Sequence, residues 1–299
     1  MKKYICFDVG GTKVKYGLLL ENGTVLSQGS YNTRPINLEL FLKDMIDTIN
    51  MNTRNTIVSG IAISLPGFIN PHTGYSEAAG SVKALSKQNL KELLKAKTSL
   101  PIEIENDGNC AALAESISGN AKKFTDFICI TLGTGVGGGI FTNGKLLRGH
   151  SFRGGEFGFM KNRTKRGQFE VWHSNASTSA LIHSYKKLKG LSENENIDGE
   201  TVFLDSNNNH SVRKLIDDWT KNISYGIYNL TVTLNPQKVL IGGGVANQQE
   251  LLSMINHQLD LISWWKVFKV PVELCKYQND AGMIGALYHF LQEQNRPFK

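Results

Sequence analysis

Two hydrophobic rhythms alternate along this chain. The first is a short apolar run closed by glycine, as in "ICFDVGG", "TIVSGIAISLPG", "FICITLGTG" and "KVLIGGG". Such runs predict strands. The second spaces apolar residues three and four apart. In "NLELFLKDMIDTIN" they fall at Leu38, Phe41, Leu42, Met45, Ile46 and Ile49, with Asn37 placed to cap the helix. "NLKELLKAKTSL" and "DGNCAALAESISG" predict two more helices, separated by the strand "PIEIE". In the second half, "SNASTSALIHSYKKLKG" predicts one capped helix and "SVRKLIDDWTKNISYGIYNLTVTLN" a long one. "KVLIGGGVANQQELLSMI" predicts strand, glycine turn and helix, and "AGMIGALYHFLQ" a last amphipathic helix. Strands alternating with helices predict an α/β architecture.

One unit of this pattern occurs twice. "ICFDVGGTKVKYGLLLENG" and "FICITLGTGVGGGIFTNGKLLRG" share a plan of apolar strand, glycine-threonine bend, second strand and Asn-Gly. Asn22-Gly23 and Asn143-Gly144 both predict tight hairpin turns with positive φ. A repeated supersecondary unit predicts two similar domains. The expected division is 1–118, completed by a C-terminal helix over 283–299, and 119–282. No linker is rich in Pro, Gly or Ser, so one compact body with a cleft between the domains is expected.

Composition narrows the class. The chain has 299 residues, 40% of them hydrophobic and 20% charged, the profile of a globular protein with real cores. A net charge of +7 raises the question of a nucleic-acid partner. The densest basic stretch, "KNRTKRG" (Lys161 to Gly167), carries no aromatic residue, and a solvated loop is expected there. The four cysteines, Cys6, Cys110, Cys129 and Cys275, lie apart in apolar contexts and read as reduced core thiols. The N-terminus is too short in apolar residues for a signal peptide, and no run approaches the ~18 residues of a membrane span. A cytoplasmic protein bound to neither nucleic acid nor membrane is expected.

Five stretches could carry chemistry. In "DVGGTK" (Asp8 to Lys13), Gly10 and Gly11 can turn backbone N–H groups toward an anion, Thr12 adds a donor, and Asp8 could hold Mg²⁺ through water. In "LGTGVGGG", Gly133, Thr134 and Gly135 form a second bend after a strand. It is neither a Walker loop nor a Gly-x-Gly-x-x-Gly helix opening, because a strand follows. The glycines here make a poor strand, which close approach to phosphates would justify. "IGGGVAN" offers Gly243 and Gly244 either as bare backbone for a ring or ribose, or for close helix–strand packing. Asp107, after Asn106 at a strand end, can cap its helix, serve as a general base, or both. Glu156 in "RGGEFG" reads as a ligand to sugar hydroxyls or as a solvated loop acid.

Taken in this order, the segments "FDVGGTK", "LPGFINPHTG", "LPIEIENDGNCAALAE", "LGTGVGGGIFTNG", "RGGEFG", "VLIGGGVAN" and "AGMIGALYHFLQ" resemble the ROK family of sugar kinases and repressors. The resemblance covers nearly the whole chain. It implies the two-domain ribonuclease-H-like fold of actin, Hsp70 and the sugar kinases, and ATP-dependent phosphorylation of a sugar hydroxyl. It implies Asp107 as the catalytic base and Gly67, Asn106 and Glu156 as sugar contacts. Asp8, Gly10, Gly11, Thr12, Lys13, Gly133, Thr134 and Gly135 would meet phosphate and Mg²⁺, and Gly243 and Gly244 the adenosine. A homodimer is implied by the family only.

The sequence also departs from the family pattern. Phe159 stands where a histidine is usual, and no cysteine-rich motif follows, so no zinc is expected. A later sugar-contacting acid has two registers: one selects Glu170, and the other, which matches "ASTSAL" and is preferred, selects His173. "GEFGFM", "LPGFINPHTG", "YNL" and "YHFLQEQNR" resemble bacterial β-glucoside kinases, which phosphorylate the 6-hydroxyl of the non-reducing glucose of cellobiose and similar sugars. Glucokinase and N-acetylmannosamine kinase activity stay open. A sugar sensor or repressor of the same family is the non-enzyme alternative. The first strand begins by Tyr4, which leaves no expected helix-turn-helix before it.

Overall fold

The computed structural model describes residues 1–163, 169–248 and 250–295. The chain divides into two units. Unit 1 comprises Met1–Ser118, Leu146–Gly154 and Asp280–Lys299; unit 2 comprises Gly119–Lys145 and Gly155–Asn279.

Unit 1 begins with a meander of β1 (Lys3–Val9), β2 (Lys13–Leu20) and β3 (Val25–Asn32). Gly23 has φ +86° at the hairpin turn, a value glycine adopts without a Cβ penalty. Next come α1 (Leu38–Thr53) and β4 (Ile61–Leu65). Asn37 Oδ1 accepts from the Leu40 N–H and so caps α1. A small antiparallel sheet of β5 (Phe68–Ile69), β6 (Tyr75–Ala78) and β7 (Gln88–Asn89) precedes α2 (Leu90–Lys95). β8 (Ile102–Asn106) then runs directly into α3 (Asp107–Ser118). The main sheet has the order β3-β2-β1-β4-β8, with β1, β4 and β8 parallel. Asp8 lies opposite Ser64 and Leu65 opposite Asn106, so the C-terminal ends of three parallel strands gather at one edge.

Unit 2 repeats this plan. β9 (Phe127–Leu132), β10 (Val136–Thr142) and β11 (Lys145–Leu146) form its meander. The short hairpin β12 (Lys161–Arg163) and β13 (Phe169–Val171) follows. The basic stretch read as a loop is therefore strand at Lys161–Arg163, held by pairing to β13. Its residues 164–167 lie outside the described residues. Then come α4 (His173–Ala176), α5 (Thr178–Lys189), α6 (Gly199–Ser206), α7 (His210–Leu234), β14 (Lys238–Gly242), α8 (Leu251–Asp260), α9 (Trp265–Phe268) and β15 (Val272–Leu274). The sheet order β11-β10-β9-β14-β15 matches that of unit 1 position by position, two antiparallel pairings followed by two parallel ones.

The single helix expected over 174–190 is two. Ser177 is extended, and its side chain accepts from the Ala180 N–H, which starts α5 afresh. The segment Leu146–Gly154 follows the unit 2 meander in sequence yet belongs to unit 1. No described helix is long and apolar enough to cross a membrane.

The last helix, Ala281–Gln294, packs on α3, β1, β4 and β8. Ten of its residues, Ala281 through Phe290, are buried, and small residues set its distance from α3. A Cβ on Gly285 would overlap the Cys110 carbonyl, and one on Gly60 the Phe290 ring. Gly285→Ala is expected to lower unfolding free energy by roughly 1–3 kcal/mol, as overpacking of a close contact does. A urea titration reads this as a lower midpoint at unchanged slope; an unchanged midpoint would mean the helix does not sit this close.

Candidate active site

The unit 1 residues converge at the edge where β1, β4 and β8 end. Asp8, on β1, accepts a hydrogen bond from the Ser64 hydroxyl at 2.8 Å. Burial pushes its carboxyl above the usual carboxylate range, and nearby Asp280 adds to this, while Ser64 and Lys15 work against it. Gly282, in the first turn of the last helix, has no Cβ; one there would overlap the Asp8 carboxylate. The start of a helix, where the first backbone N–H groups have no partner within the helix, therefore abuts the acid, an arrangement that favours negative charge.

The Gly10–Thr12 bend follows at once. The Gly10 N–H donates to the Lys13 carbonyl at 3.0 Å, and the Thr33 hydroxyl donates to the Gly10 carbonyl at 2.7 Å. A Cβ on Gly11 would crowd the Ser81 side chain. Thr12 and Lys13 are exposed. The bend is held from behind, with Thr12 and Lys13 facing solvent.

Asn106 and Asp107 end β8 and start α3. Asn106 Oδ1 accepts from the Asn109 N–H at 3.0 Å, which makes Asn106 the residue that caps the helix. Asp107, read as a partial cap, occupies the first helical position, where its Oδ1 accepts from the Gly108 N–H at 2.8 Å and so meets one of the helix's first N–H groups. It is exposed, whereas Asn106 is 8% exposed. The Asn106 amide also donates to the Gly67 carbonyl at 3.0 Å. Among the described residues these bonds use one amide N–H and one lone pair of the Asn106 side chain, out of two of each. Gly67 has φ +99°, and a Cβ there would overlap the Ala78 carbonyl, so only glycine fits.

Unit 2 carries a second corner. The Gly133 N–H donates to the Gly135 carbonyl at 2.9 Å. The Gly133 carbonyl accepts from Thr178 and Ser179 N–H at 3.0 and 3.4 Å, so the start of α5 props the corner. This support, and the Ser177 break that makes it, was missed from sequence; the "ASTS" run was its only local signal. A Cβ on Gly133 would meet nothing within 4 Å, and Thr134 is exposed. Not all the neighbouring glycines serve an open corner. A Cβ on Gly138 would overlap the Cys129 carbonyl and crowd the Phe157 ring, and one on Gly155 would overlap the Gly138 carbonyl. These glycines let the loop that carries Glu156 lie flat on β10. The "GGG" of β14 divides likewise. Gly243, at φ +96°, fits closely against Leu132, while a Cβ on Gly244 would meet nothing within 4 Å. Since β14 lies parallel beside β9, with Gly242 opposite Thr131, Gly133 and Gly244 follow the ends of neighbouring strands.

Glu156 is half-buried, and burial alone raises its pKa. Two residues on, a Cβ on Gly158 would overlap the His173 ring. That ring also lies under Gly135 and takes the exposed Phe159 ring edge-on at 5.0 Å. Val136 N–H donates to His173 Nδ1 at 2.8 Å, so the ring's proton sits on Nε2. Burial lowers the His173 pKa. Of the two candidate acid-register positions, His173 is brought to the glycine corner, and Glu170 is exposed on β13.

Because the folded-state pKa of His173 lies below its unfolded value of about 6.5, its contribution to stability is complete above that value. It is lost as pH falls through the depressed folded value. Between pH 7 and pH 5 the wild-type protein is expected to lose more unfolding free energy than His173→Gln. Glu156 acts in the opposite direction in both proteins and cancels in the comparison. Parallel pH curves would contradict the burial of the His173 ring.

The chain is similar over nearly its whole length to known proteins. A β-glucoside kinase of Listeria monocytogenes is 38% identical, with 98% of this chain and 99% of that protein covered. One from Klebsiella pneumoniae is 32% identical over 99% and 98%. A ROK family glucokinase from Streptomyces griseus, solved in complex with glucose and AMPPNP, superposes with a TM-score of 0.82 at 26% identity, covering 95% of this chain and 98% of that one. The architecture is the two-domain fold shared by actin, Hsp70 and the sugar kinases. Residues 4–293 match the pattern that defines the ROK family, and the chain belongs to it.

Proposed function

We propose that this protein is an ATP-dependent carbohydrate kinase that phosphorylates the 6-hydroxyl of the non-reducing glucose of β-glucosides such as cellobiose. The observation that carries the kinase reading is the strand-to-helix corner at Asn106–Asp107. Asn106 takes over the capping of α3, and Asp107 is left exposed at a position fixed by its neighbours. A carboxylate so placed accepts a proton from an attacking hydroxyl. The sugar oxygen then forms its bond to the γ-phosphorus as the bond to the β,γ-bridging oxygen breaks, the proton passes to Asp107, and ADP leaves. Phosphoryl transfer of this kind depends on alignment and on neutralised oxygens.

In this reading Asn106, the Gly67 segment, Glu156 and His173 orient the sugar. Neutral His173 offers its Nε2–H as a donor, and Glu156 accepts from hydroxyls. The Gly133–Gly135 corner and Gly10–Thr12 bend meet the phosphates with backbone N–H groups. Gly244 offers bare backbone to the adenosine, and Gly243 serves by shaping its turn. Asp8 suits Mg²⁺: it is the carboxylate beside the Gly10–Thr12 bend, and its ionised form is disfavoured by burial until a cation is present. Bound there through water, the ion would neutralise phosphate charge. The β-glucoside assignment is favoured over a free monosaccharide by the full-length relatives that bear that name. A glucokinase from Halalkalibacterium halodurans at 27% identity keeps glucose as the second reading.

A coupled ADP-release assay across cellobiose, gentiobiose, glucose, fructose and N-acetylmannosamine separates the two. The disaccharides are expected to turn over well above glucose; turnover confined to a monosaccharide rejects the β-glucoside assignment. Asp107→Asn is expected to fold normally and lose roughly 10²–10⁴-fold in kcat. Near-normal turnover there removes Asp107 from the base role. Gly133→Ala and Gly244→Ala, where a methyl group meets open space, are expected to leave stability unchanged and raise the KM for ATP. An unchanged KM in both variants would place the nucleotide elsewhere.

A further inference from the structure

Glu105 is the residue before the Asn106–Asp107 corner, and it is 1% exposed. A buried carboxylate is costly unless its lone pairs are satisfied. Here they are. Oε1 accepts from the Asn106 backbone N–H at 2.8 Å and from Asn109 Nδ2 at 3.0 Å. Oε2 accepts from Arg148 Nε at 2.6 Å. Asn109 in turn gives its backbone N–H to the Asn106 side chain. The three residues close a ring of hydrogen bonds around the first turn of α3, and Arg148 supplies its charge balance.

Arg148 arrives from an unexpected part of the chain. It lies in Leu146–Gly154, which leaves the unit 2 meander and joins unit 1 before the chain reaches Glu156. The segment is fastened at both ends. The Gly154 N–H donates to the Arg148 carbonyl at 2.9 Å. Arg153 pairs with Glu77 and lies over the Phe68 ring, and Phe152 meets His72 edge-on. On the far side, Arg148 Nη2 stands 3.4 Å from His289 Nδ1 on the last helix.

We propose that Arg148 and Glu105 are positioning residues for phosphoryl transfer: they hold the Asn106–Asp107 corner at the angle from which Asp107 takes the sugar proton. This rests on the reading of Asp107 as the base. Glu105 does not touch the reacting atoms. It fixes the peptide N–H immediately before Asp107 and the asparagine whose N–H completes the cap. Arg148 holds the Oε2 end of the side chain, which keeps Oε1 on its two N–H donors; without that bond the acceptor is no longer fixed, and the first turn of α3 moves with it. Small misplacements of a catalytic group carry large losses in rate.

Glu105→Gln/Arg148→Met tests this, because it removes both charges together, keeps an acceptor beside Asn106 and preserves the aliphatic stem. Turnover is measured in this variant, in Asp107→Asn and in the combination of all three substitutions. The charge-neutral pair is expected to melt within a few degrees of wild type, keep its KM for ATP and lose roughly 10–100-fold in kcat. In the Asp107→Asn background the same pair is expected to change the residual kcat less than about twofold, since the two act through one group. Equal fold losses in both backgrounds, or no loss in either, overturn the proposal. If the pair does not fold, Arg148→Lys carries the test: it keeps the charge without the Nε geometry and is expected to lower kcat several-fold, and wild-type turnover overturns the proposal. Wild-type turnover in Asp107→Asn itself rejects the base assignment and any route through it, whereas an additive loss rejects positioning and leaves Asp107 in place.

Discussion

The hydrogen bond from the Asn109 N–H to the Asn106 side chain fixes what the rest of the candidate site can do. A helix that starts directly at the end of a strand must satisfy its first N–H groups locally. By doing so from the residue before the helix, the chain leaves Asp107 at the first helical position, exposed and set by a rigid neighbour on each side. The same economy recurs in unit 2. There the corner after β9 is shaped by its own Gly133–Gly135 bond and propped by the N–H groups of α5. In both units a strand end, not a flexible loop, carries the candidate residues. The supporting bonds come from behind, so the side presented to solvent is bare backbone or an acid.

The repeated plan of the two units was legible because it is written in strong local signals. Apolar runs closed by glycine, and Asn-Gly at both hairpins, are short-range features that tertiary context rarely overrides. The two sheets have the same order and the same parallel and antiparallel pairings. The long helices were legible for a similar reason: α1 and α7 each present an apolar stripe long enough to set the period. Less legible were the elements whose reason is a distant contact. Ser177 breaks a helix-like stretch because a glycine corner far back in the sequence needs its N–H donors. Lys161–Arg163 is strand because it pairs with β13, although its composition is that of a loop.

The glycines show the limit most clearly. "LGTGVGGG" and "IGGGVAN" look uniform as text, and Gly133, Gly135, Gly243 and Gly244 all read as candidates for a ligand. In the structure they part into two kinds. Gly133 and Gly244 face open space, whereas Gly138 and Gly243 admit a neighbouring backbone of the same unit. Both kinds are glycine in the sequence, so composition cannot separate them. Arg148 was invisible for another reason. Its partner Glu105 lies 43 positions away, on the strand before Asp107, and nothing in "KLLRGHS" marks the arginine as other than a surface charge.

The proposed reaction turns on where the acceptor alcohol of the sugar sits relative to one carboxylate. A crystal structure of this protein with cellobiose bound measures that directly. The 6-oxygen of the non-reducing glucose is expected at hydrogen-bond distance from Asp107, about 2.6–3.2 Å, with Asn106 bonded to the same ring. A glucoside bound with Asp107 turned toward solvent and another hydroxyl, or none, at the Asn106–Asp107 corner would contradict it.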